Sequence, residues 1–530
     1  MPRVLILLLV LIGASGLARA DLHEAVAGLG SRSFDDKAQA IEQIARSGDP
    51  QATVILDALE SRELVEDRAN QRIVLGEKGG DGWVLKDPIS GEALGTVGSR
   101  DARPVVINNR LRELIHNLRA VAALASANPL ERRAAASQLV GNDDPVVLDA
   151  LRERQREEDN PLVSGVIDTA LNIAVLRNPD TELAVRLNAI DAVAGSLEPA
   201  VRNVLRDRFS ETDASSEKRA AQKALASIDA RAERYQMADT LFFGLSLGSV
   251  LLLAAIGLAI TFGVMGVINM AHGELIMLGA YTTYMVQQIF PQGHEWSLLV
   301  AVPAAFLVSG FAGVLIERLV IRFLYGRPLE TLLATFGVSL ILQQAVRLIF
   351  SPLNRTVVTP EWMSGALQIN PVFSLTFNRL YIVFFALAVF LLLQLVLKKT
   401  RLGLQVRAVS QNRNTARGLG IRRERVNALT FGLGSGIAGI AGVALAQLTN
   451  VGPNLGQAYI IDSFMVVVFG GVGNLWGTLT AAFGLGIANK LIEPMAGAVL
   501  AKIVILVFII LFIQRKPRGL FPQRGRAAEE

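Results

Sequence analysis

Apolar residues are distributed unevenly along this chain of 530 residues. From residue 21 to about residue 238 they alternate with many charged residues, and beyond that point long apolar runs follow one another. Such runs predict membrane helices, because a backbone exposed to lipid must satisfy its own hydrogen bonds. The nine runs are Thr240–Phe262, Met265–Phe290, Ser297–Ile316, Leu329–Phe350, Leu380–Leu397, Ala428–Leu448, Ser463–Gly477, Thr478–Ile492 and Val499–Ile513. We therefore expect an all-α polytopic membrane protein preceded by a water-soluble domain, with Ser463–Gly477 as a candidate for a broken or re-entrant segment.

The first 20 residues have the form of a secretory signal peptide. Arg3 supplies a positive charge, Val4–Ile12 forms an apolar core, and Ala18-Arg19-Ala20 matches a cleavage site. The apolar core is too short to span a bilayer comfortably. An uncleaved first anchor is the alternative, and in either case we expect the chain from Asp21 onward to be exported.

Residues 21–238 predict a mainly helical domain. Amphipathic runs at Lys37–Ala45 and Glu131–Val140 each precede an Asp-Pro turn and a second apolar run. The pair Leu183–Ala194 and Glu198–Phe209 has the same form. Units of helix, short turn and helix resemble HEAT repeats, with plain helical hairpins as the alternative.

A small β insert is predicted within this domain between Gln71 and Asn108. Turn-forming glycines and a proline separate three short β-type runs there. The runs are Ile73–Leu75, Trp83–Leu85 and Val105–Ile107. The domain shows neither a metal-ligand spacing nor a nucleophile–base pattern, since His23 and His116 are isolated in the sequence. We therefore expect a binding or scaffolding module.

Basic residues are concentrated in alternate loops between the apolar runs. Residues 317–328, 398–426 and 514–518 are rich in arginine and lysine, whereas residues 291–296 and 449–461 contain neither. Loops rich in these residues stay in the cytoplasm. This pattern places residues 21–238 outside, a membrane domain at residues 239–521, and a cytoplasmic tail at residues 522–530. The net charge of +5 is therefore explained by topology rather than by nucleic-acid binding.

Polar residues inside the apolar runs are the candidates for a solute pathway, because such residues are unfavourable in lipid. They are Asn269, His272, Glu274, Thr335, Gln343 and Asn474. His272 and Glu274 are equally compatible with a pair that holds a helix end. The chain has no cysteine and no G-x-x-x-x-G-K-[ST] motif, which excludes thiolate sites and that type of nucleotide binding. We predict no catalytic residues, metal or cofactor.

The stretch Thr400–Val426 contains seven arginines and one acid, Glu424. From charge alone, it is equally compatible with a plain cytoplasmic loop and with an element on which a cytoplasmic motor docks. Repeated glycines between Gly432 and Gly442, in the apolar run that follows, favour close helix packing over contact with a solute.

The apolar half resembles the membrane subunit of branched-chain amino acid ABC transporters. The resemblance extends from about Leu241 to Phe521. Its motifs are Asn269 with Ala271–Glu274, Leu278–Tyr281, Leu324–Leu329, Leu333–Gly337, Phe469–Asn474 and Lys516–Phe521. The long exported region ahead of the first span resembles the urea-type permease of the same family.

The resemblance implies a permease subunit of an ATP-driven importer for urea in the bacterial inner membrane, and not an enzyme. It also implies a second permease, two separate ATPase subunits and a periplasmic binding protein as partners. The ATPase would dock on residues 400–426, through Arg407, Gln411, Asn412, Arg413, Ala416, Arg417, Gly418 and Gly420. Import of a branched-chain or other amino acid is the alternative. A membrane-anchored receptor or sensor is an alternative of another class.

Overall fold

The computed structural model describes residues 22–47, 49, 51–79, 82–211, 215–291 and 294–521. The chain divides into two compact units, residues 1–231 and 232–530. The predicted signal peptide and the predicted tail at residues 522–530 lie outside the described residues.

The first unit is mainly helical, and a short helical segment at residues 22–28 precedes its longer helices. These helices are α1 (Phe34–Arg46), α2 (Gln51–Ser61), α3 (Asn109–Ala123), α4 (Pro129–Gln138), α5 (Pro145–Glu157), α6 (Pro161–Arg177), α7 (Leu183–Val193) and α8 (Pro199–Glu211). The next helix, α9 (Ser215–Met265), begins in this unit and ends in the second.

Three successive helices of the first unit begin with the same pair of residue types. Asn128, Asp144 and Asn160 each precede a proline at the first helical position, and each side chain accepts a hydrogen bond from the backbone two residues later. An Asx cap satisfies an amide that the helix leaves unpaired, and proline has no amide to leave unpaired there. This local chemistry explains why the Asp-Pro turn in the sequence predicted the start of α5.

The β insert is a five-stranded antiparallel sheet with the order β4-β3-β2-β1-β5. Its strands are β1 (Leu64–Asp67), β2 (Arg72–Lys78), β3 (Gly82–Lys86), β4 (Ala93–Gly98) and β5 (Ala102–Pro104). Two predicted runs lie in β2 and β3, but the insert starts at Leu64 rather than at Gln71. The third predicted strand, Val105–Ile107, was wrong. The last strand ends at Pro104 because the chain then turns into α3, whose first turn is capped by Asn108.

A buried ion pair joins α4 to the end of α5. Arg132 donates two hydrogen bonds of 2.8 Å to the two carboxylate oxygens of Glu158, and Arg154 donates a third of 2.9 Å. The Glu158 side chain is fully buried. Chiefly because Arg132 donates to it, the pKa of Glu158 is lowered to about 2.

Replacing Glu158 by glutamine should lower the Tm of the first unit by about 5 °C at neutral pH, since Arg132 loses its buried partner. A depressed pKa stabilises the fold above the unfolded value of 4.5, and that stabilisation is lost as the pH falls towards 2. The difference in Tm from wild type should therefore shrink between about pH 5 and pH 3. Thermal melts of the full-length chain by circular dichroism test this, with the exposed neighbour Glu157→Gln as control. A pH-independent difference would contradict it.

The second unit consists of apolar helices and two short helices. They are the end of α9, α10 (His272–Ile289), α11 (His294–Leu319), α12 (Pro328–Phe350), α13 (Phe377–Lys399), α14 (Arg401–Gln411), α15 (Arg413–Gly418), α16 (Arg423–Ala446), α17 (Leu455–Gly470), α18 (Leu475–Ala496) and α19 (Ala498–Arg515). Two single 3-10 turns, Ile321–Phe323 and Glu361–Met363, and a hairpin of β6 (Ala366–Gln368) and β7 (Ser374–Thr376) lie in the connections.

Two of the predicted apolar runs have different boundaries in the structure. The run Met265–Phe290 is not one helix, because residues 266–271 are not helical and α10 begins at His272. The run Ser463–Gly477 lies across the end of α17 and the start of α18, with the break at residues 471–474. Gly471 and Gly473 have φ angles of +103° and +79° there, which glycine adopts without a steric penalty.

Six of the described helices are long and apolar enough to cross a membrane: parts of α9 and α11, together with α12, α13, α16 and α19. The apolar helix α17 is shorter, with 16 residues. At 1.5 Å per residue it is about 24 Å long, less than the ~30 Å of a hydrocarbon core. Six of the nine predicted crossings thus meet the length and composition of a span in the described part of the chain.

Glycines on α16 allow its neighbours to approach closely. A Cβ atom on Gly279 of α10 would lie 2.0 Å from the carbonyl oxygen of Gly439, and one on Gly257 of α9 would lie 2.2 Å from that of Gly434. No side chain fits at such distances. The predicted close packing of this glycine-rich helix is confirmed, and it places α16 at the centre of the membrane unit.

Candidate functional site

One face of α12 carries a buried polar stripe. Thr331, Thr335, Ser339 and Gln343 follow one another at intervals of four residues, and all four are buried. Residues four apart lie on one face of a helix. The opposite face is apolar and exposed, with Leu333, Ile341 and Leu348 among its residues. A helix that is polar inside and apolar outside suits a lipid environment, with the stripe facing the protein interior.

Glu274 in the first turn of α10 meets this stripe. Its Oε1 atom accepts hydrogen bonds from Ser339 Oγ at 3.0 Å and from Gln343 Nε2 at 2.7 Å. The Glu274 side chain is 1% exposed. A buried carboxylate without such donors would be strongly unfavourable. Because Glu274 lies on α10 and both donors lie on α12, the two hydrogen bonds also hold these helices together.

The non-helical residues 266–271 also contact the polar stripe of α12. The backbone amide of Met270 donates to Thr335 Oγ1 at 3.1 Å, and the amide of Ala271 donates to Asn269 Oδ1 at 3.0 Å. Gly266, with a φ angle of +66°, lets the chain leave α9. The break thus exposes backbone groups to the polar stripe, where a continuous helix would bond them internally.

His272 has a different partner. Its Nε2 atom lies 2.9 Å from the carbonyl oxygen of Ala254 on α9. A carbonyl can only accept, so Nε2 carries the proton in this arrangement. The side chain is fully buried. His272 therefore ties the start of α10 to α9, as in the interpretation of a residue that holds a helix end.

Several polar atoms around this seam have no partner among the described residues. They are Glu274 Oε2, Asn269 Nδ2, His272 Nδ1 and Tyr281 Oη. Buried polar atoms normally have a hydrogen-bond partner. Atoms without one are therefore candidates for contact with water or a ligand. We define Asn269, Glu274, Thr335, Ser339 and Gln343 as the polar seam.

Of the six residues predicted for a pathway, the structure places Asn269, Glu274, Thr335 and Gln343 in the seam and His272 beside it. Ser339 was missed, although its spacing from Thr335 and Gln343 could have revealed it in the sequence. Asn474 lies elsewhere. Its Oδ1 atom caps α18 by accepting from the amides of Trp476 and Gly477, at 3.1 Å and 3.2 Å.

The arginine-rich loop forms the two short helices α14 and α15. Val406, Val409, Ala416 and Val426 form a small buried core that holds these helices against the start of α16. Asn412 connects the two helices and caps α15, because its Oδ1 accepts from the amides of Asn414 and Thr415. The loop is thus a folded pair of helices with a defined outer surface.

The predicted docking residues occupy different positions on this helix pair. Gln411, Arg417, Gly418 and Gly420 are exposed, and Arg413 begins α15. Ala416 is buried in the small core, so its side chain does not belong to the outer surface. Arg407 is exposed but donates to the carbonyl oxygen of Leu397 at the end of α13.

Two exposed leucines on the same unit were missed by the sequence interpretation. Leu404 is 62% exposed and Leu419 is 77% exposed. Leu419 lies between Gly418 and Gly420, and Gly420 adopts a φ angle of +85° that ends α15. An exposed apolar side chain beside the predicted docking residues is available for contact with another protein.

No group of three or more possible metal ligands occurs in the part of the chain that the structure describes. The chemistry available at the seam is therefore that of hydrogen-bond donors and acceptors and one carboxylate. Such groups bind and orient a polar solute.

Comparison with known proteins adds the family context. Residues 240–513 match the branched-chain amino acid transport system permease component. The LivH permease protein of high-affinity branched-chain amino acid transport in Salmonella typhimurium is 31% identical over 291 residues, which is 53% of this chain and 94% of that protein. The corresponding BraD protein of Pseudomonas aeruginosa is 29% identical and covers 54% and 96%. The ribose import permease RbsC of Escherichia coli is 27% identical and covers 48% and 77%. No solved structure matches the chain.

Proposed function

The chain belongs to the family of branched-chain amino acid transport permease components, and from this premise we propose that it carries amino acids through the membrane as one permease subunit of an ABC importer. The observation that carries this proposal is the match over residues 240–513, because the relatives named as branched-chain amino acid permeases align over nearly their whole length. The subunit is not the ATPase, which in this family is a separate chain. The amino acid alternative is thus better supported than urea.

The polar seam fits an amino acid solute. Glu274 has one oxygen held by Ser339 and Gln343 and a second with no partner among the described residues. An ammonium group supplies both a positive charge and N–H donors to such an oxygen. The neighbouring break at residues 266–271 offers backbone groups to the rest of the solute. We propose that the solute passes along this seam as α10 and α12 move relative to each other.

The proposed assembly contains a second permease, two ATPase subunits and a binding protein. It lies in the inner membrane, with residues 21–238 outside and the helices α14 and α15 on the cytoplasmic side. The basic residues of this pair support that orientation. Docking of these helices on an ATPase would transmit its movement to α13 and α16, which α14 and α15 connect.

Urea is the second candidate for the solute. The observation that favours it is the region of more than 200 residues ahead of the family match, since the aligned relatives account for only about half of this chain. The amide groups of Asn269 and Gln343 and the hydroxyl groups of the seam would also bind a neutral solute. This candidate requires no charge on the solute.

Uptake measurements distinguish the two solutes. In a strain that lacks this chain, uptake of labelled leucine should be lost and should return with the wild-type gene, while urea uptake is unchanged. Loss of urea uptake with leucine uptake intact would establish the second candidate. Unchanged uptake of both solutes in the strain that lacks this chain would contradict both.

A further inference from the structure

A cavity of about 560 Å³ lies where the ends of α9 and α13 meet α14 and the start of α18. It is separate from the polar seam. Its lining includes Lys398, Arg407, Gln394, Ser410 and Asn474. The cavity thus lies beside the short helix α14, at the end of the membrane unit that carries the arginine-rich loop.

The charge of this cavity is entirely positive. Lys398 and Arg407 both line it, and no Asp or Glu is among its lining residues in the described part of the chain. Arg407 donates to the carbonyl oxygen of Leu397, which holds the guanidinium group at the cavity wall while its other N–H groups remain available. Two neutral polar side chains, from Gln394 and Ser410, add hydrogen-bonding groups that suit an anion.

Other residues of the cavity lining are apolar. It includes Ile260, Leu475 and Trp476. Trp476 is 52% exposed and packs edge-to-face on the buried Phe390, with ring centroids 5.2 Å apart. Tryptophan at the boundary between lipid and water is typical of a membrane interface. Basic and apolar lining residues in one cavity together fit an amphiphile with an anionic head.

We propose that this cavity binds an anionic phospholipid of the cytoplasmic leaflet. Its phosphate lies between Lys398 and Arg407, and the start of an acyl chain follows Trp476 and Leu475. The proposal rests on the proposed function only for the cytoplasmic position of the loop. Basic pockets between membrane helices on that side bind lipid head groups. Asn474 lines the same cavity, where its Oδ1 caps α18 and its Nδ2 donates to the carbonyl oxygen of Phe521 at 3.3 Å.

Such a lipid would connect the docking helices to the membrane helices. Arg407 belongs to α14, whereas Asn474 and Trp476 belong to the break and to α18. A phospholipid between them would couple α14 to α18 without direct protein contacts. We therefore expect transport to depend on anionic lipid.

The test measures lipid bound to the intact importer complex. The complex is reconstituted in vesicles of phosphatidylcholine with phosphatidylglycerol, extracted, and analysed by native mass spectrometry. Replacing both Lys398→Gln and Arg407→Gln should reduce bound phosphatidylglycerol by about 30-fold, from roughly 1 kcal/mol for each basic residue. Lys399→Gln with Arg401→Gln removes the same charge from residues outside the lining and serves as the control. Lys398→Gln alone should give about 5-fold and guards against a folding defect.

Three outcomes would overturn the proposal. Equal phosphatidylglycerol retention by the Lys398/Arg407 variant and its control would show that the cavity does not select the lipid. Complete displacement of the lipid by excess inorganic phosphate would assign the site to free phosphate. Loss of the ATPase subunit from the variant, with lipid retained, would assign the basic lining residues to an acidic surface of the ATPase. Lipid retention is measured without any solute, so an error in the proposed solute leaves this result unchanged.

Discussion

Uptake at low solute concentration should fall by about 10- to 100-fold when Glu274 is replaced by glutamine, if the solute is an amino acid. Glutamine has nearly the same shape and can still accept from Ser339 and Gln343. It loses the negative charge that would pair with an ammonium group. A hydrogen bond to a charged group contributes about 1.5–3 kcal/mol, and the whole of that contribution is removed. The effect should appear in the apparent KM for leucine.

The same variant separates the two candidate solutes. Urea is neutral, and the glutamine NH2 group that replaces Oε2 can donate to the urea carbonyl oxygen, so a urea importer should lose less than about 10-fold. Glu274→Leu removes every acceptor and should abolish uptake of either solute. It also leaves Ser339 and Gln343 without a buried partner, so protein levels and melting must be compared.

Glu330→Gln is the matched control for this experiment. Glu330 lies in the first turn of α12, is exposed and pairs with Arg327 at 3.1 Å. An exposed pair contributes little, so uptake should remain close to wild type. If Glu274→Gln and Glu330→Gln behave alike, with wild-type KM, then Glu274 does not contact the solute and only joins α10 to α12.

The ATPase should dissociate from the complex when Leu419 is replaced by aspartate. Leu419 displays 77% of its surface at the end of α15. Burying a leucine side chain contributes about 1.5–3 kcal/mol, and a carboxylate at the same place must also lose its water. We therefore expect ATPase binding to weaken at least about 10- to 100-fold. Co-purification of the tagged permease with its ATPase measures this loss.

Leu367→Asp provides the comparison. Leu367 is also exposed, but it lies on β6 in the connection between α12 and α13, which is predicted on the other side of the membrane. It should leave ATPase binding unchanged. The double replacement Arg413→Glu and Arg417→Glu reverses two charges on α15 and should also release the ATPase. If the ATPase stays bound in both α15 variants, the docking assignment fails and a receptor role for the chain gains support.

Several features of this protein were determined by local sequence. The change from mixed to apolar composition near residue 238 predicted the membrane helices, because the hydrocarbon core imposes a length and an apolarity on each one. The Asp-Pro pair before α5 acts within one helical turn, so that helix start was readable too. The glycines of α16 predicted close packing because absence of a side chain is itself a local property.

Other features depended on which helices meet. Asn269, Glu274 and Gln343 lie up to 74 residues apart in the chain, and only the packing of α10 against α12 brings Glu274 to Ser339 and Gln343. Asn474 is likewise a polar residue in a predicted apolar run, but it caps α18 and lines another cavity. Similarly, Ala416 is buried and Leu419 is exposed, and polarity alone does not distinguish these two apolar residues.

The physical reason is that the hydrophobic pattern of a segment depends on the solvent around it. A binding site depends instead on which atoms the fold brings into contact. Lipid and water select the polarity of residues along a segment, and helix caps involve only residues close in the chain. Both are therefore visible in the sequence. The contacts of Glu274 and the exposure of Leu419 are set by helices that are distant in the chain. The sequence by itself therefore determined six of the nine predicted spans and the basic loop. The tertiary structure decided which polar residues face each other and which side chains remain exposed.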